Sequence, residues 1–416
     1  MDVCVIGAGY VGLTTAVILS DLGHNVCCVD INETRIKELS ESRVPFHESG
    51  LSALMNRNVE VGRLSFSTNT EKKIDENDVI FIAVGTPPEK SGRPNLEAFD
   101  GVVQSLAGSI RSYKMILIKS TVPPGTNKNL EAALLQHGVD PDKFDVVSNP
   151  EFLREGTAVE DALHPNKIVV GTTSTGVVDS IHTLYKGIHA PYIVTTPEGA
   201  EMIKYASNAF LATKISFINE MSRICDAYNV DIEDIARGLG TDPRIGPHFL
   251  NAGLGYGGSC FPKDLKALEY SALQRNVVPT MLHAAKAVND SQIDFYIKKL
   301  ERKLGELKEK QVTVWGLAFK PDTDDIRLSP AHAFIERLQE KRCIVHSYDP
   351  MAVPSDADGM RFSDRYEALQ GSDALVIATD WKEFQESNWP KVRERLKGNV
   401  IFDGRNCLDP ETIRSH

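Results

Sequence analysis

One cysteine near the middle of the chain has the surroundings of a nucleophile. Cys260 follows a run with four glycines in six residues, and Pro262 and Lys263 come after it. Proline suits the first position of a helix, so Cys260 is predicted to stand just before a helix N-terminus. The partial positive charge of that helix end and the Lys263 ammonium both favour a thiolate. Asp264 follows four residues later, close enough to face the thiol. The glycines, the proline and the flanking lysine and aspartate together favour a reactive cysteine over a small buried one.

A glycine-rich turn at the start of the chain has the pattern of a dinucleotide site. Residues 3–6 predict a short buried strand, residues 13–22 an apolar helix and residues 25–29 a second strand. The turn after the first strand contains Gly7, Gly9, Tyr10, Val11 and Gly12. In this context the first glycine makes the turn, the second lets a pyrophosphate reach the helix N-terminus, and the third packs the helix against the strand.

The acid at the end of the second strand indicates which dinucleotide is bound. Asp30 would accept hydrogen bonds from the adenosine ribose and repel a 2′-phosphate, so NAD is predicted rather than NADP. Arg35 could stack near the adenine or favour NADP, but the acid is the stronger signal. The alternative is a glycine-tolerant turn that binds no ligand.

Three further strand-like runs end in polar segments. They cover residues 78–84, 115–119 and 145–148, and the segments after them include Thr86, Thr121 and Glu155. Ligands bind at the carboxyl ends of the strands in open α/β sheets, so these three residues are site candidates. Each of them could instead be a helix cap or a turn residue.

The middle of the chain is predicted to be helical. Residues 198–228 contain no strand signal and carry Lys204 and Asn208 on one helical face. Such a pair is either a solvated surface or part of a polar site. A long periodic run over residues 279–304 has no internal breaker, and such a helix commonly serves as a connector and an oligomer interface.

The α/β pattern restarts at Gln311. Strands over 312–315, 343–348 and 374–378, with a helix over 330–341, repeat the order of the first thirty residues without the GxGxxG turn. A second dinucleotide is therefore not expected there. Lys320 and Arg405 are cations suited to a nucleotide diphosphate, or else surface charges.

These patterns predict an α/β protein with two doubly wound Rossmann-like domains, joined by a central helical region with a long connecting helix. The predicted domain boundaries give residues 1–196, 197–308 and 309–416.

Composition narrows the class of protein. The net charge of −11 argues against nucleic acid or an anionic membrane as the main partner. The seven cysteines have neither CxxC nor zinc-ligand spacing, so no metal site is predicted, and their scattered number fits a reducing compartment. No apolar run approaches the ~18 residues of a membrane-spanning helix. We therefore expect a cytoplasmic protein without membrane association.

Four motifs together resemble the UDP-glucose/GDP-mannose dehydrogenase family, and the resemblance covers essentially the whole chain. They read GAGYVG at residues 7–12, STVPPG at 120–125, NPEFLREG at 149–156 and GGSCFPKD at 257–264. The resemblance implies that the C6 hydroxyl of a nucleotide sugar is oxidised to a carboxylate with two NAD⁺ per turnover. It also implies that the first domain binds NAD, the central one forms a homodimer and the last one binds the nucleotide sugar.

The resemblance further implies roles for individual residues. The catalytic set is Cys260 as nucleophile with Lys204, Asn208, Asp264, Thr121 and Glu155. The cofactor set comprises the glycine turn, Asp30, Arg35, Thr86, Thr121, Glu155, Lys263 and Arg327. The substrate set comprises Glu151, Phe152, Leu153, Arg154, Glu155, Lys204, Asn208, Arg244, Phe249, Leu250, Asn251, Ala252, Gly253, Tyr256, Gly257, Lys320 and Arg405. In relatives, the residue that matches Arg244 reaches into the neighbouring subunit's site.

The chemistry of the reaction agrees with a nucleophilic cysteine. Converting an alcohol to an acid removes four electrons, and one nicotinamide accepts only two, so an intermediate aldehyde must be retained. A thiolate retains it as a thiohemiacetal, whose oxidation gives a thioester that water can cleave. Asp264, or a lysine paired with it, would be the general base, and the sequence does not choose between them.

The resemblance favours UDP-glucose as the substrate, with GDP-mannose or another nucleotide sugar as the alternative. Ser259 stands where the N-acetylmannosamine branch tends to have a histidine, which disfavours that branch. Two rivals come from other classes. One is a non-catalytic sensor of NAD or nucleotide sugar, and the other is a two-electron dehydrogenase such as a hydroxyacid enzyme, which would leave Cys260 idle.

Overall fold

The computed structural model describes residues 1–353 and 358–416, which form two compact units. The first unit contains Met1–Ser207 and Lys266–Arg275, and the second contains Asn208–Leu265 and Asn276–His416.

The first unit is built around an eight-stranded sheet. Its strands are β1 (Asp2–Ile6), β2 (Asn25–Val29), β3 (Leu64–Ser67), β4 (Val79–Ile82), β5 (Lys114–Ile118), β6 (Phe144–Ser148), β7 (Ile168–Gly171) and β8 (Tyr192–Thr195). Their spatial order is β3-β2-β1-β4-β5-β6-β7-β8, and every neighbouring pair is parallel except β6 and β7. The order through β6 is doubly wound, so the carboxyl ends of β1, β4, β5 and β6 meet at one edge.

The central strands are buried on both faces. Val3 and Val5 of β1 belong to one hydrophobic core, whereas Cys4 and Ile6 belong to another. Strands covered on both faces read as continuous apolar runs, which is why the sequence predicted them. The helices along this part of the chain are α1 (Tyr10–Asp21), α2 (Glu33–Ser40), α3 (Leu51–Glu60), α4 (Thr70–Glu76), α5 (Glu97–Ser109), α6 (Thr126–Gln136), α7 (Ala158–Leu163) and α8 (Val177–Leu184), with a 3₁₀ turn at Pro141–Lys143.

Four helices follow along the chain. They are α9 (Pro197–Tyr228), α10 (Ile232–Gly240), α11 (Phe261–Leu273) and α12 (Thr280–Leu304). Asn229 follows α9 with a φ of +56°, and Gly305 follows α12 with a φ of +75°. Residues in this left-handed conformation end helices, so the local sequence explains where both long helices end.

The second unit contains a five-stranded parallel sheet. Its strands are β9 (Gln311–Trp315), β10 (Ile344–Tyr348), β11 (Met360–Arg361), β12 (Ala374–Ile377) and β13 (Val400–Asp403), in the order β11-β10-β9-β12-β13. The accompanying helices are α13 (Pro330–Glu340), α14 (Arg365–Ala368), α15 (Lys382–Gln385), α16 (Trp389–Arg395) and α17 (Pro410–Arg414). Trp315, Phe334 and Phe384 are fully buried and fill the core.

The predicted fold class is confirmed, because two parallel-dominated sheets are separated along the chain by a helical region with a long helix. Five strands were not predicted from the sequence: β3, β7, β8, β11 and β13. The predicted domain boundaries after residues 196 and 308 stay a prediction. In the parts of the chain that the structure describes, no helix is long and apolar enough to cross a membrane.

Candidate active site

The glycine turn after β1 has the geometry that a pyrophosphate requires. Gly7 has a φ of +106°, and a Cβ there would lie 2.5 Å from the Ala83 carbonyl oxygen. A Cβ on Gly12 would lie 1.8 Å from the Gly7 carbonyl oxygen, so α1 packs directly on the turn. Gly9 caps α1, and no heavy atom of the described residues lies within 4 Å of its Cβ position. The N-terminus of α1 is therefore open to an anion at Gly9, which fits NAD.

The acid after β2 faces this turn. Asp30 Oδ2 accepts hydrogen bonds from the Ala8 amide at 2.8 Å and from Arg35 Nη1 at 3.3 Å, and Oδ1 accepts one from the Asn32 amide at 2.9 Å. A carboxylate has about four acceptor positions, so capacity for a ribose hydroxyl remains. Arg35 is paired with Asp30, which offsets the attraction that it would have for a 2′-phosphate.

The loops after β4 and β5 are tied together at the same sheet edge. The Thr86 hydroxyl donates to the Thr121 carbonyl at 2.8 Å, and the Ser120 hydroxyl donates to the Val84 carbonyl at 2.7 Å. Thr86 is buried, and its hydrogen bond shows that it fixes the Thr121 loop. Thr121 lines a small pocket together with Ile118, Ser120, Val122, Ser148, Pro150, Glu201 and Lys204.

Glu151 and Lys204 form a buried ion pair. Lys204 Nζ lies 2.9 Å from Glu151 Oε1, and the two side chains are 4% and 6% exposed. Burial opposes ionisation of Glu151, but the adjoining Lys204 ammonium outweighs it and holds the pKa of the carboxyl below its usual range. Glu151 Oε2 also accepts a hydrogen bond from the Leu153 amide at 2.5 Å, so the loop after β6 is fixed by this carboxylate.

A buried network links the dinucleotide turn to the loop that carries Glu155. The Tyr10 hydroxyl donates to Glu48, whose Oε2 accepts from the Gly156 amide at 2.7 Å and whose Oε1 accepts from the Ala158 amide at 2.8 Å. Glu155 itself is buried beside Gly156. Tyr10, through Glu48, therefore fixes the backbone of the loop at Gly156. Val11 packs against the hydrophobic core.

Arg154, in the same loop, is turned towards Asp161. Its Nε and Nη2 donate to the two carboxylate oxygens at 3.0 and 2.6 Å. The arginine side chain remains 62% exposed.

Cys260 stands directly before α11, as the sequence predicted. Its carbonyl accepts the first helical hydrogen bond, from the Asp264 amide at 2.9 Å, and Pro262 is the second helical residue. The thiol is half-buried, with Ser259 Oγ 3.6 Å from Sγ. A sulfur at a helix N-terminus has the environment that stabilises a thiolate.

Asp264 contacts the predicted catalytic residue Asn208 and the predicted cofactor-binding residue Lys263. Asn208 Nδ2 donates to Asp264 Oδ2 at 2.6 Å, and Lys263 Nζ lies 2.6 Å from Asp264 Oδ1. Asp264 is 1% exposed, so both of its carboxylate oxygens are buried against these two partners. Lys263 is thus a lysine paired with Asp264, so the two candidates for the general base are in direct contact.

The glycines before Cys260 allow close packing of protein on protein. A Cβ on Gly257 would lie 2.2 Å from the Leu328 carbonyl oxygen, and one on Gly253 would lie 2.9 Å from the Gly404 carbonyl oxygen. Gly258 has a φ of +78° and lies against the Phe319 ring. Gly255 also has a positive φ, of +115°, and the close approach of this run is to neighbouring chain segments of the second unit.

The remaining predicted residues of the second unit differ in exposure. Leu250, Ala252, Gly253, Tyr256 and Gly257 are buried, Phe249 and Lys320 are half-buried, and Asn251 is exposed. Arg405 donates from Nε and Nη2 to Asp380 at 3.1 and 3.0 Å. Arg327 pairs with Asp325 at 2.7 Å, and Arg244 pairs with Asp242 at 2.6 Å while remaining 87% exposed.

Sequence reasoning missed two charged residues of the first unit. Lys119 Nζ donates to Asn149 Oδ1 at 3.2 Å and to the Tyr185 hydroxyl at 3.3 Å, and burial lowers the pKa of Lys119 to about 8. Glu201 accepts hydrogen bonds from the Gly125 and Asn127 amides at 2.6 and 2.9 Å, and burial raises its pKa to about 7. In the sequence, Lys119 could have been noticed as an ionisable residue at the end of a buried strand. Glu201 could have been noticed as an acid about one helical turn before Lys204.

Family models match three consecutive parts of the chain. The NAD-binding domain of the UDP-glucose/GDP-mannose dehydrogenase family matches residues 1–189, its central domain residues 198–291 and its UDP-binding domain residues 313–410.

Individual relatives match over nearly their full length. YtcA of Bacillus subtilis (strain 168) is 48% identical over 420 residues, covering 100% of this chain and 97% of that protein. The UDP-glucose 6-dehydrogenase YwqF of the same strain is 42% identical, covering 98% of this chain and 94% of that protein. The structure of a UDP-glucose dehydrogenase from Pyrobaculum islandicum has a TM-score of 0.93 at 36% identity, covering 99% of this chain and 95% of that chain. The resemblance that the four motifs predict is confirmed, and the chain belongs to the UDP-glucose/GDP-mannose dehydrogenase family.

Proposed function

We propose that this chain is an NAD-dependent UDP-glucose 6-dehydrogenase that produces UDP-glucuronate. The observation that carries the proposal is Cys260 at the N-terminus of α11, one helical turn from Asp264 with its Asn208 and Lys263 partners. A two-electron dehydrogenase or a sensor has no use for such a thiol. The named UDP-glucose dehydrogenases among the relatives support the choice of sugar.

In the first oxidation the C6 hydroxyl loses a proton and a hydride and becomes an aldehyde. The Asp264–Lys263 pair is our candidate for receiving the hydroxyl proton, because its two atoms are only 2.6 Å apart and can share a proton. When bound, NAD⁺ accepts one hydride in each of the two oxidations.

The Cys260 thiolate then adds to the aldehyde carbon, forming a C–S bond and an oxyanion that takes up a proton. Lys204 and Asn208, one helical turn apart on α9, are proposed to stabilise this oxyanion. The second oxidation removes a proton and a hydride from the thiohemiacetal and leaves a thioester. Water, for which Glu155 and Thr121 are the proposed contacts, adds to the thioester carbon. The C–S bond breaks, the thiol is regenerated and a carboxylate and a proton are released.

The proposal is tested by replacing the nucleophile. In Cys260→Ala the first oxidation keeps its base, whereas the second lacks a tetrahedral adduct, so uronate formation should fall by about four orders of magnitude or more. Cys343 is another half-buried cysteine and serves as the control, so Cys343→Ala should keep full activity. The measurement is mass spectrometry of the products with NADH counted per sugar, on a panel that includes UDP-glucose and GDP-mannose. Uronate made by Cys260→Ala at near the wild-type rate would disprove the covalent role.

We further propose that the enzyme is a homodimer through α9. Large apolar side chains that are exposed on this helix include Phe210 (66%), Phe217 (46%), Ile224 (47%) and Tyr228 (76%). The first three are separated by two helical turns each and therefore form a stripe, and exposed apolar patches of this kind mark interaction surfaces. Arg244, which is 87% exposed, is proposed to reach the partner's substrate.

Light scattering should report a two-chain particle, and Phe210→Glu should dissociate it. The control is Val61→Glu, because Val61 lies outside α9 and is 60% exposed; this variant should stay a dimer. A fully active monomer, or an Arg244→Ala variant with unchanged substrate affinity, would contradict the dimer proposal.

We place the enzyme in the cytoplasm, because its seven cysteines are present as thiols and such thiols persist in a reducing compartment.

A further inference from the structure

The Phe152 ring lies beside the ammonium groups of two lysines. Lys167 Nζ is 4.4 Å from the ring centroid, and Lys204 Nζ is 5.3 Å from it. Lys204 has a carboxylate partner in Glu151. For Lys167, burial and then the charge of Lys204 lower the pKa, and no acid in the described part of the chain raises it.

The surroundings of this ring therefore hold more positive than negative charge. Lys119 also lies within electrostatic range of Glu151 and Lys204, so that Lys119 and Lys204 share one carboxylate. Lys167 adds a third positive charge beside Lys204. An aromatic ring stabilises an ammonium group by about 0.5–2 kcal/mol, but it does not neutralise the charge. Repulsion among these lysines is relieved when an anion binds between them.

We infer that Lys167, together with Lys204, binds the carboxylate that the reaction creates at C6 of the sugar. This inference rests on the proposed function. The substrate has a neutral hydroxymethyl group at C6, whereas thioester hydrolysis leaves a carboxylate there. A cation at this position therefore binds the product more strongly than the substrate, and it stabilises the charge that appears in the last step.

A packing role for Lys167 makes a different prediction. A lysine stem that only covered Phe152 would stabilise the loop after β6 and would affect all nucleotide-sugar ligands equally. The two roles are separated by comparing UDP-glucuronate with UDP-glucose, because these ligands differ only at C6.

Isothermal calorimetry on the full-length enzyme, with NADH present to prevent turnover of UDP-glucose, supplies this comparison. Lys167→Met should weaken UDP-glucuronate binding about tenfold, the effect of losing one charge-assisted hydrogen bond, and should change the Kd of UDP-glucose less than about twofold. Lys167→Gln is a second neutral variant with the same expectation. Lys167→Arg keeps the charge and should stay within about threefold of wild type for both ligands. Lys186→Met removes an exposed lysine from the same unit and should change neither Kd.

Equal weakening of both ligands by the neutral variants, or no weakening of either, would overturn the inference. Conversion of UDP-glucose by the wild-type enzyme is measured alongside. If it fails, the proposed function is wrong. If it succeeds while the two Kd values change in parallel, only the role of Lys167 is wrong.

Discussion

The first strand of each part of the chain that forms a sheet, β1 or β9, is followed by a similar glycine turn. The two turns differ in the hydrogen bonding of the aspartate that contacts them. In the first sheet Gly7 has a φ of +106° and donates its amide to the Val29 carbonyl at 2.7 Å. In the second, Gly316 has a φ of +95° and donates to the Tyr348 carbonyl at 2.8 Å. Each second strand is followed by an aspartate that accepts a hydrogen bond from the residue after the glycine.

The two aspartates differ in how many donors they receive. Among the described residues, three donors bond to Asp30 and five to Asp349, the latter being the amides of Leu317, Ala318, Met351 and Ala352 and Trp381 Nε1. With about four acceptor positions on a carboxylate, Asp349 is saturated and Asp30 is not. The same residue at equivalent positions is thus a saturated structural acceptor in one sheet, whereas in the other it keeps capacity for the predicted ribose contact.

The turns also differ in the distance along the chain from the glycine to the next helix. Helix α1 begins at Tyr10, so its N-terminus faces the turn, whereas α13 begins only at Pro330. The segment between Gly316 and α13 instead carries Lys320 and Arg327. An anion at the first turn would meet backbone N–H groups, whereas the cations predicted to bind one at the second turn are side chains.

The largest expected effect is on stability, and it comes from replacing Asp349, the saturated aspartate. Asp349→Ala leaves four backbone donors without their acceptor and should lower the free energy of unfolding by about 3 kcal/mol or more, because unsatisfied donors are costly. Asp30→Ala removes fewer contacts and should cost about 1 kcal/mol. Chemical denaturation without NAD measures both. Equal losses would show that hydrogen-bond saturation does not distinguish the two sites.

The preference for NAD over NADP should change more in Asp30→Ala than in Asp349→Ala, the reverse of the order expected for stability. Asp30→Ala removes the ribose contact and the repulsion of a 2′-phosphate, and it also frees Arg35 from its 3.3 Å pairing. The ratio of kcat/KM for NAD over that for NADP should fall about a hundredfold, or about 2.7 kcal/mol. Asp349→Ala is the control and should leave this ratio unchanged in the folded enzyme. Equal use of the two cofactors by the wild-type enzyme would show that Arg35 outweighs Asp30.

Charged residues after the fifth strand of each sheet provide a pH test. Lys119 follows β5 and has a pKa of about 8, whereas Arg405, after β13, is paired with Asp380 and stays charged. The pKa of Lys119 in the folded protein is below that of an unfolded lysine, so the charged lysine lowers the free energy of unfolding. This cost is fully present below about pH 8. That cost is relieved between about pH 8 and 10.5, where the unfolded state binds more protons.

The stability of the wild-type protein relative to Lys119→Met should therefore rise by on the order of 2 kcal/mol from pH 7 to pH 10. The same difference for Arg405→Met should stay constant over this range. Denaturation at several pH values measures both. A constant difference for Lys119 would mean that the lysine titrates normally in the folded protein.

The sequence predicted features that depend on local pattern, and it missed those that depend on distant partners. The buried central strands and the helix start after Cys260 were correct, because apolar runs and Pro262 encode them locally. Strand β8 was missed because it lies at a sheet edge and is partly exposed. The ion pair between Glu151 and Lys204 joins residues 53 positions apart, so only the folded chain reveals it.

Single lysines such as Lys119 and Lys167 also escaped detection. The chain has 46 lysines and arginines, and most such residues are solvated. What marks these two is burial beside another cation, which is a property of the tertiary structure.

The smallest expected effect concerns the second glycine of the first turn. Gly9 has an extended conformation with open space at its Cβ position, so Gly9→Ala should fold with unchanged stability. The added methyl group occupies the path of the pyrophosphate to the N-terminus of α1, so the KM for NAD should rise about tenfold while the KM for UDP-glucose stays constant. Ala318 is the counterpart in the second sheet, where the amide donates to Asp349 at 3.1 Å. Ala318→Gly should therefore cost up to about 1 kcal/mol of stability and leave the KM for NAD unchanged. Steady-state kinetics on both variants makes the comparison. An unchanged KM for NAD in Gly9→Ala would show that the pyrophosphate does not approach this turn, and the contrast between open and saturated turns would lose its functional meaning.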